Sequence, residues 1–272
     1  GKYSREYRDA IFNLAGEYAA HKDYDKSIAT YRRGADIDRL VSGVFYDPRP
    51  HEITLMFYEY EQNPSDSLAV AAHARLEELA AEMKDETESI KGRQNFLLLC
   101  EYRILFALIQ DDYQAARNIT SEKLPLLSEN SSAYLKAIED MVHYSSILGD
   151  YDKSYALMPE YIAAFREQTM PQLVLMTDEE RSSFWPEKSK DIEKQVLFPL
   201  FLGGGDRFAG FAYDNALLNK GLLLQSARVI DKALANEPQL QAELTSVVAA
   251  QKNETDPEAS RQLYISRRPR RS

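Results

Sequence analysis

The chain has 272 residues, 44% of them hydrophobic and 28% charged, a balance that buries a core and keeps a solvated surface, which excludes wholesale disorder. Its 43 acidic residues against 33 basic ones give a net charge of -10, which repels phosphate backbones and argues against general nucleic-acid binding. One cysteine, Cys100, excludes an intramolecular disulfide framework, and no apolar run approaches the roughly 20 residues of a membrane helix.

Helical periodicity covers most of the sequence and alternating strand patterns do not appear, so the expected fold class is all-α. In the first forty residues Ile11, Leu14, Ala15 and Tyr18 share one helical face, a turn falls at Lys22 and Asp23, and Tyr24, Ser27, Tyr31 and Gly34 stripe a second helix. Small residues at Ala15, Ser27 and Gly34 suit two helices crossing at about 8 to 10 Å. From Val44 to Gln62 the pattern is irregular, with Asp47, Pro48 and Pro50 breaking the chain ahead of a helix bearing Leu55, Phe57 and Tyr58. Asn63, Pro64 and Ser65 precede an alanine-rich helix from Ser67 to about Lys84. Next comes what reads as the longest helix pair, ending near Leu126.

The string DYDKS occurs at Asp23 to Ser27 and again at Asp150 to Ser154, each time between two amphipathic segments, and DDYQAA is a weaker copy carrying Tyr113 and Ala116. Recurrence of one hairpin points to a tetratricopeptide-like array with irregular repeats, wound as a right-handed superhelix. Pro171 is expected to break the chain. Thr177 and Glu180 form a capping box for a helix bearing Phe184 and Trp185, which Pro186 should kink or restart. Gly203, Gly204 and Gly205 read as a reversal between two helices, the second running from near Arg207 to about Leu234. After Gln251 the polar run KNETDPEAS leaves the fold, and Arg267, Arg268, Arg270 and Arg271 form a basic tail, either a solvated terminus or a contact for phosphate or an acidic partner.

Candidate chemistry is sparse. Cys100 follows Phe96 to Leu99 and reads as core. His21, His51, His73 and His143 form no zinc pattern, and Gly205 and Gly210 have the spacing of a phosphate loop but Phe211 and Ala212 where lysine and serine or threonine are needed. The pairs Glu77 and Glu78, Glu179 and Glu180 read as solvated helix faces. No cofactor or metal is expected. Among 17 tyrosines, Tyr18, Tyr24 and Tyr31 could line a groove that grips a peptide.

The stretch from Met176 to Leu224, with MTDEERSSFW and then FAYDNALLNKGLLLQSAR, resembles the segment that links tetratricopeptide-like helices to the caspase-like domain in CHAT proteins. The likeness is good over Thr177 to Arg228, moderate over Ser131 to Met170 and generic before that. It implies residues 1–170 as repeats, 171–250 as the helical segment ahead of a protease, and 251–272 as a tail. It also implies a non-catalytic scaffold for a protein or peptide, acting as the regulatory or sensor arm of a protease linked in cis, in bacterial cytoplasm or envelope. No position matches that family's catalytic histidine or cysteine. A free-standing adaptor is the alternative, and a small hydrolase the runner-up. In the second string Tyr213, Ala216, Leu217, Leu223, Leu224 and Ala227 form an apolar stripe interrupted by Lys220, so Tyr213, Asn215, Lys220 and Gly221 are the expected docking residues.

Overall fold

The computed structural model describes residues 4–176 and 178–236. Among them the chain is all-helical, without strands. Ten α-helices follow one another: α1 (Arg5–Ala20), α2 (Tyr24–Ser42), α3 (Arg49–Gln62), α4 (Asp66–Met83), α5 (Ile90–Ile109), α6 (Tyr113–Lys123), α7 (Ser132–Ile147), α8 (Tyr151–Leu175), α9 (Asp178–Phe201) and α10 (Arg207–Asn236). Short 3-10 turns occupy Gly43–Phe45, Lys84–Glu86 and Leu124–Leu126.

The repeated strings build one joint three times. Lys22, Asp111 and Gly149 each have positive φ, at 59°, 55° and 73°. At each the chain closes the preceding helix with two reversed hydrogen bonds: Lys22 N to Ala19 O and Asp23 N to Tyr18 O, Asp111 N to Leu108 O and Asp112 N to Ala107 O, Gly149 N to Ser146 O and Asp150 N to Ser145 O. This left-handed closure satisfies carbonyls that a helix end leaves unpaired. The next residue is the aspartate that caps the following helix, its carboxylate accepting from Lys26 N, Ala115 N and Lys153 N respectively. One residue thus ends one helix and starts the next.

Beyond the joint, the packing also repeats. Ser27 Oγ donates to the Ala15 carbonyl at 2.9 Å and Ser154 Oγ to the Val142 carbonyl at 3.2 Å, each reaching twelve residues back across its hairpin. Ala116, fully buried, stands at the matching position of α6. At Gly34 an added Cβ would lie 2.6 Å from the Phe12 ring, so glycine there is a condition of close approach between α1 and α2. Each helix from α1 to α6 packs on its successor, with α3 also touching α5. One hydrophobic core gathers Ile53, Leu76, Leu79, Met83, Phe96, Leu99 and Phe106 from α3, α4 and α5. The joint between α3 and α4 departs from the others, passing through Asn63 and Pro64 to a Ser65 cap.

Several expectations are corrected. Pro171 ends nothing: α8 runs through it to Leu175, and α9 runs through Pro186 without a restart. Both prolines are exposed, as are Glu167 and Ser182, the residues whose carbonyls lose an amide donor, so water can take the place of the missing bond. The pair ending near Leu126 is not the longest, since α8, α9 and α10 have 25, 24 and 30 residues against 20 and 11 for α5 and α6. Leu14 is exposed rather than on the buried face. Glu77 is no idle surface acid: with Glu122 it pairs to the buried Arg103 guanidinium, at 2.7 Å each, joining α4, α5 and α6. Thr177 of the expected capping box and the four tail arginines lie outside the described residues.

The chain divides into two compact units. Among the described residues, one comprises 4–165 with 194–211, the other 166–176 and 178–193 with 212–236. In the first, Gly203 and Gly204 close α9 with bonds to Leu200 O and Pro199 O, and Gly203 takes φ of 98°. In the second, Leu173, Trp185, Ile192 and Leu222 are buried, and Arg181 donates to the Leu173 carbonyl at 3.3 Å.

Candidate docking surfaces

The chemistry-bearing residues are placed as packing groups. Cys100 is fully buried in α5, and burial pushes its thiol up to about 12, so the thiolate a nucleophile needs does not form near neutrality. His21 closes α1 with its ring nitrogen 2.8 Å from the Glu17 carbonyl. His143 on α7 lies against the Phe198 ring with centroids 4.3 Å apart, and burial pulls its pKa below the usual histidine value. No group of three or more His, Cys, Asp or Glu side chains able to hold a metal occurs among the described residues. No helix among them is long and apolar enough to cross a membrane.

His51 is the center of a brace that sequence reasoning missed. Its Nε2 lies 3.0 Å from Asp38 Oδ2, while Arg8 and Ser42 donate to Asp38 Oδ1 at 2.7 and 2.8 Å. Burial opposes the Asp38 charge, yet the bonds from His51, Arg8 and Ser42 outweigh it and hold the carboxyl below its ordinary range. Phe12 and Tyr46 stack with the imidazole at 5.4 and 5.6 Å, and Tyr31 stands edge-on with its hydroxyl 3.4 Å from Nδ1. The network ties α1 and α2 to α3. Arg8 and His51 lie 30 and 13 positions from Asp38 in the chain, beyond any local motif, although an aspartate and a histidine flanking an irregular loop were visible.

The three groove tyrosines do separate jobs. Tyr31 belongs to this brace, also packs edge-on against Tyr58, and is pushed by burial up to about 12. Tyr24 donates to Glu61 Oε2 at 2.9 Å, linking α2 to α3, and the Lys26 ammonium sits 5.6 Å from the Tyr18 ring. A cleft of about 370 Å³ between α2 and α3 is lined by Asp25, Arg32, Glu59 and Gln62 and not by Tyr24. Of the docking residues on α10, Tyr213 is 67% exposed and Gly221 is exposed, whereas Asn215 is 2% exposed, with its carbonyl oxygen buried and unpaired. Asn215 is therefore an interior group rather than a surface one. The Lys220 side chain, like those of Leu223, Leu224 and Ala227, lies outside the described residues.

A second cleft, of about 430 Å³, opens between residues 44–49 and the first turn of α5. Val44 and Phe45 line it at 93% and 78% exposure. Asp47, on its wall, accepts from Arg49 and from Asn95, and Arg49 in turn forks onto Glu86 with two bonds of 2.7 Å. Sequence gave no sign of this cleft, because hydrophobicity does not reveal which apolar residue lacks a neighbor. Comparison with protein-family models and with curated proteins finds no match to this chain.

Proposed function

We propose that this chain is a non-catalytic scaffold that binds a protein or peptide: an irregular tetratricopeptide-like array, wound as a right-handed superhelix, acting as the regulatory or sensor arm of a CHAT-type protease. The observation that carries the reading is the threefold joint at Lys22, Asp111 and Gly149, with the matching buried serines at Ser27 and Ser154. A unit that recurs down to single hydrogen bonds is how repeat proteins extend one binding surface. The link to a CHAT-type protease rests on the likeness over Thr177 to Arg228, and a free-standing adaptor is the same reading without the protease.

The hydrolase reading draws on one feature, the Asp38–His51–Tyr31 chain, which has the order of an acid, a base and a hydroxyl. Its hydroxyl is a tyrosine raised to about 12 by burial, and its acid is engaged by Arg8 and Ser42 as well. Both are traits of a brace rather than of an activated nucleophile. Incubation of the folded chain with broad thiol-, serine- and tyrosine-reactive probes separates the two. The scaffold reading expects no rapid stoichiometric adduct, and single-site labelling at Tyr31 or Cys100 sinks it.

A further inference from the structure

The loop joining α2 to α3 turns two large apolar side chains to solvent, and it is held in that shape from several sides. Gly43 takes φ of 54°, a conformation that L side chains rarely adopt. Lys91 Nζ donates to the Phe45 carbonyl at 2.6 Å, Tyr46 stacks with His51, and Asp47 is fixed by Arg49 and Asn95. Ile90, opening α5 beside Lys91, is 78% exposed as well. An isolated exposed apolar residue is ordinary, but two of them lining one cleft on a loop locked by this many bonds, with Ile90 next in the chain to the cleft-lining Ser89 and Lys91, make a preformed surface whose burial costs little further ordering.

The charges beside it indicate what covers it. Lys91 and Arg93 are exposed and give their hydrogen bonds to backbone carbonyls, of Phe45 and Thr87, and neither forms an ion pair among the described residues. Arg75, Arg103, Arg117 and Lys123, by contrast, face carboxylates at 2.6 to 2.7 Å. Asp47 and Glu86 on the same cleft are both engaged by Arg49, and Lys91 reaches Asp47 only through space, so two cations outside any ion pair next to an apolar patch complement an acidic, apolar partner and disfavor a basic one.

From these features we propose that the cleft between the 44–49 loop and the start of α5 is a docking site for an acidic amphipathic segment of a partner protein, whose large apolar side chains cover Val44, Phe45 and Ile90 while its carboxylates meet Lys91 and Arg93. The inference rests on the scaffold reading above. Its test is selection of random 16-residue peptides displayed on phage against the full chain, followed by fluorescence anisotropy with the selected peptides on the wild type, Phe45→Ser and Arg93→Glu. Both positions are exposed, and circular dichroism verifies that the variants stay folded. The expected result is enrichment of peptides combining carboxylates with large apolar residues, bound at least ten-fold more weakly by each variant. Peptides that bind the variants as well as the wild type overturn this site and leave the scaffold reading standing, as does enrichment of basic sequences. A selection that enriches nothing overturns both. Co-sedimentation with vesicles of phosphatidylcholine and phosphatidylserine, abolished in Phe45→Ser, would assign the patch to a lipid surface and overturn the peptide.

Discussion

His143 shows how a single residue's surroundings set a pH dependence. Burial in α7 against Phe198 lowers its pKa, Glu139 and Asp140 pull the other way, Lys136 adds to the lowering, and from α9 it faces Gln195 and Phe198, which do not titrate. The folded chain therefore binds a proton here less readily than the unfolded chain, whose histidine titrates near about 6.5. The His143 contribution is complete above that value and is lost as pH falls through the lower, folded pKa. An NMR titration of the ring should give a midpoint below the ordinary histidine value of about 6.5, and the melting temperature should fall between pH 7.5 and 5 by less in His143→Phe than in the wild type. A His143 midpoint at or above that value would contradict the burial. Cys100, fully buried and raised to about 12, predicts a thiol that an aromatic disulfide reagent modifies only after denaturant is added.

At the level of elements, the joint between helices makes its own prediction. Lys22 and Asp111 sit in the left-handed region where Gly149 sits at no steric cost, and the cost for a residue with a Cβ is about 1 kcal/mol. Lys22→Gly and Asp111→Gly should each raise stability by up to about 1 kcal/mol, and Gly149→Ala should lower it by a similar amount. Chemical denaturation of the three variants checks this, and opposite signs would mean that the three joints are not equivalent. These joints were legible in the sequence because a turn of this kind is local: a capping aspartate, a tyrosine opening the next helix and a small residue at the crossing recur within five positions. The run of α8 through Pro171 was not legible in the same way. Proline removes a helical hydrogen bond wherever it sits, but it ends the helix only where the freed carbonyl has no other partner, and the exposure of Glu167 and Ser182 is a property of tertiary structure. The same limit hid the burial of Asn215 and the unpartnered Phe45, since a residue's own type says nothing of what is packed on it.

At the scale of the whole molecule, the question is whether the hairpins behave as an array or as one cooperative globule. From α1 to α7 helix contacts run between neighbors in the chain, with α3 to α5 the one longer reach noted, and the His51 brace ties the first hairpin to α3 alone. In an array, stability is close to a sum of units and nearest-neighbor interfaces, so damage at one end stays near that end. Gly34→Val supplies such damage. A Cβ there meets the Phe12 ring at 2.6 Å, and that ring is wedged against Tyr31 and His51, so relief disturbs the brace. Overpacking of this kind costs about 1–3 kcal/mol. Native-state hydrogen exchange should then show lower protection in α1, α2 and α3 and unchanged protection in α5 to α7, whose stitches through Arg103 and through Arg117 to Asp150 do not involve the first hairpin. A uniform fall in protection would mean a single cooperative unit, and would remove the physical basis for reading the repeated joint as a one-dimensional scaffold.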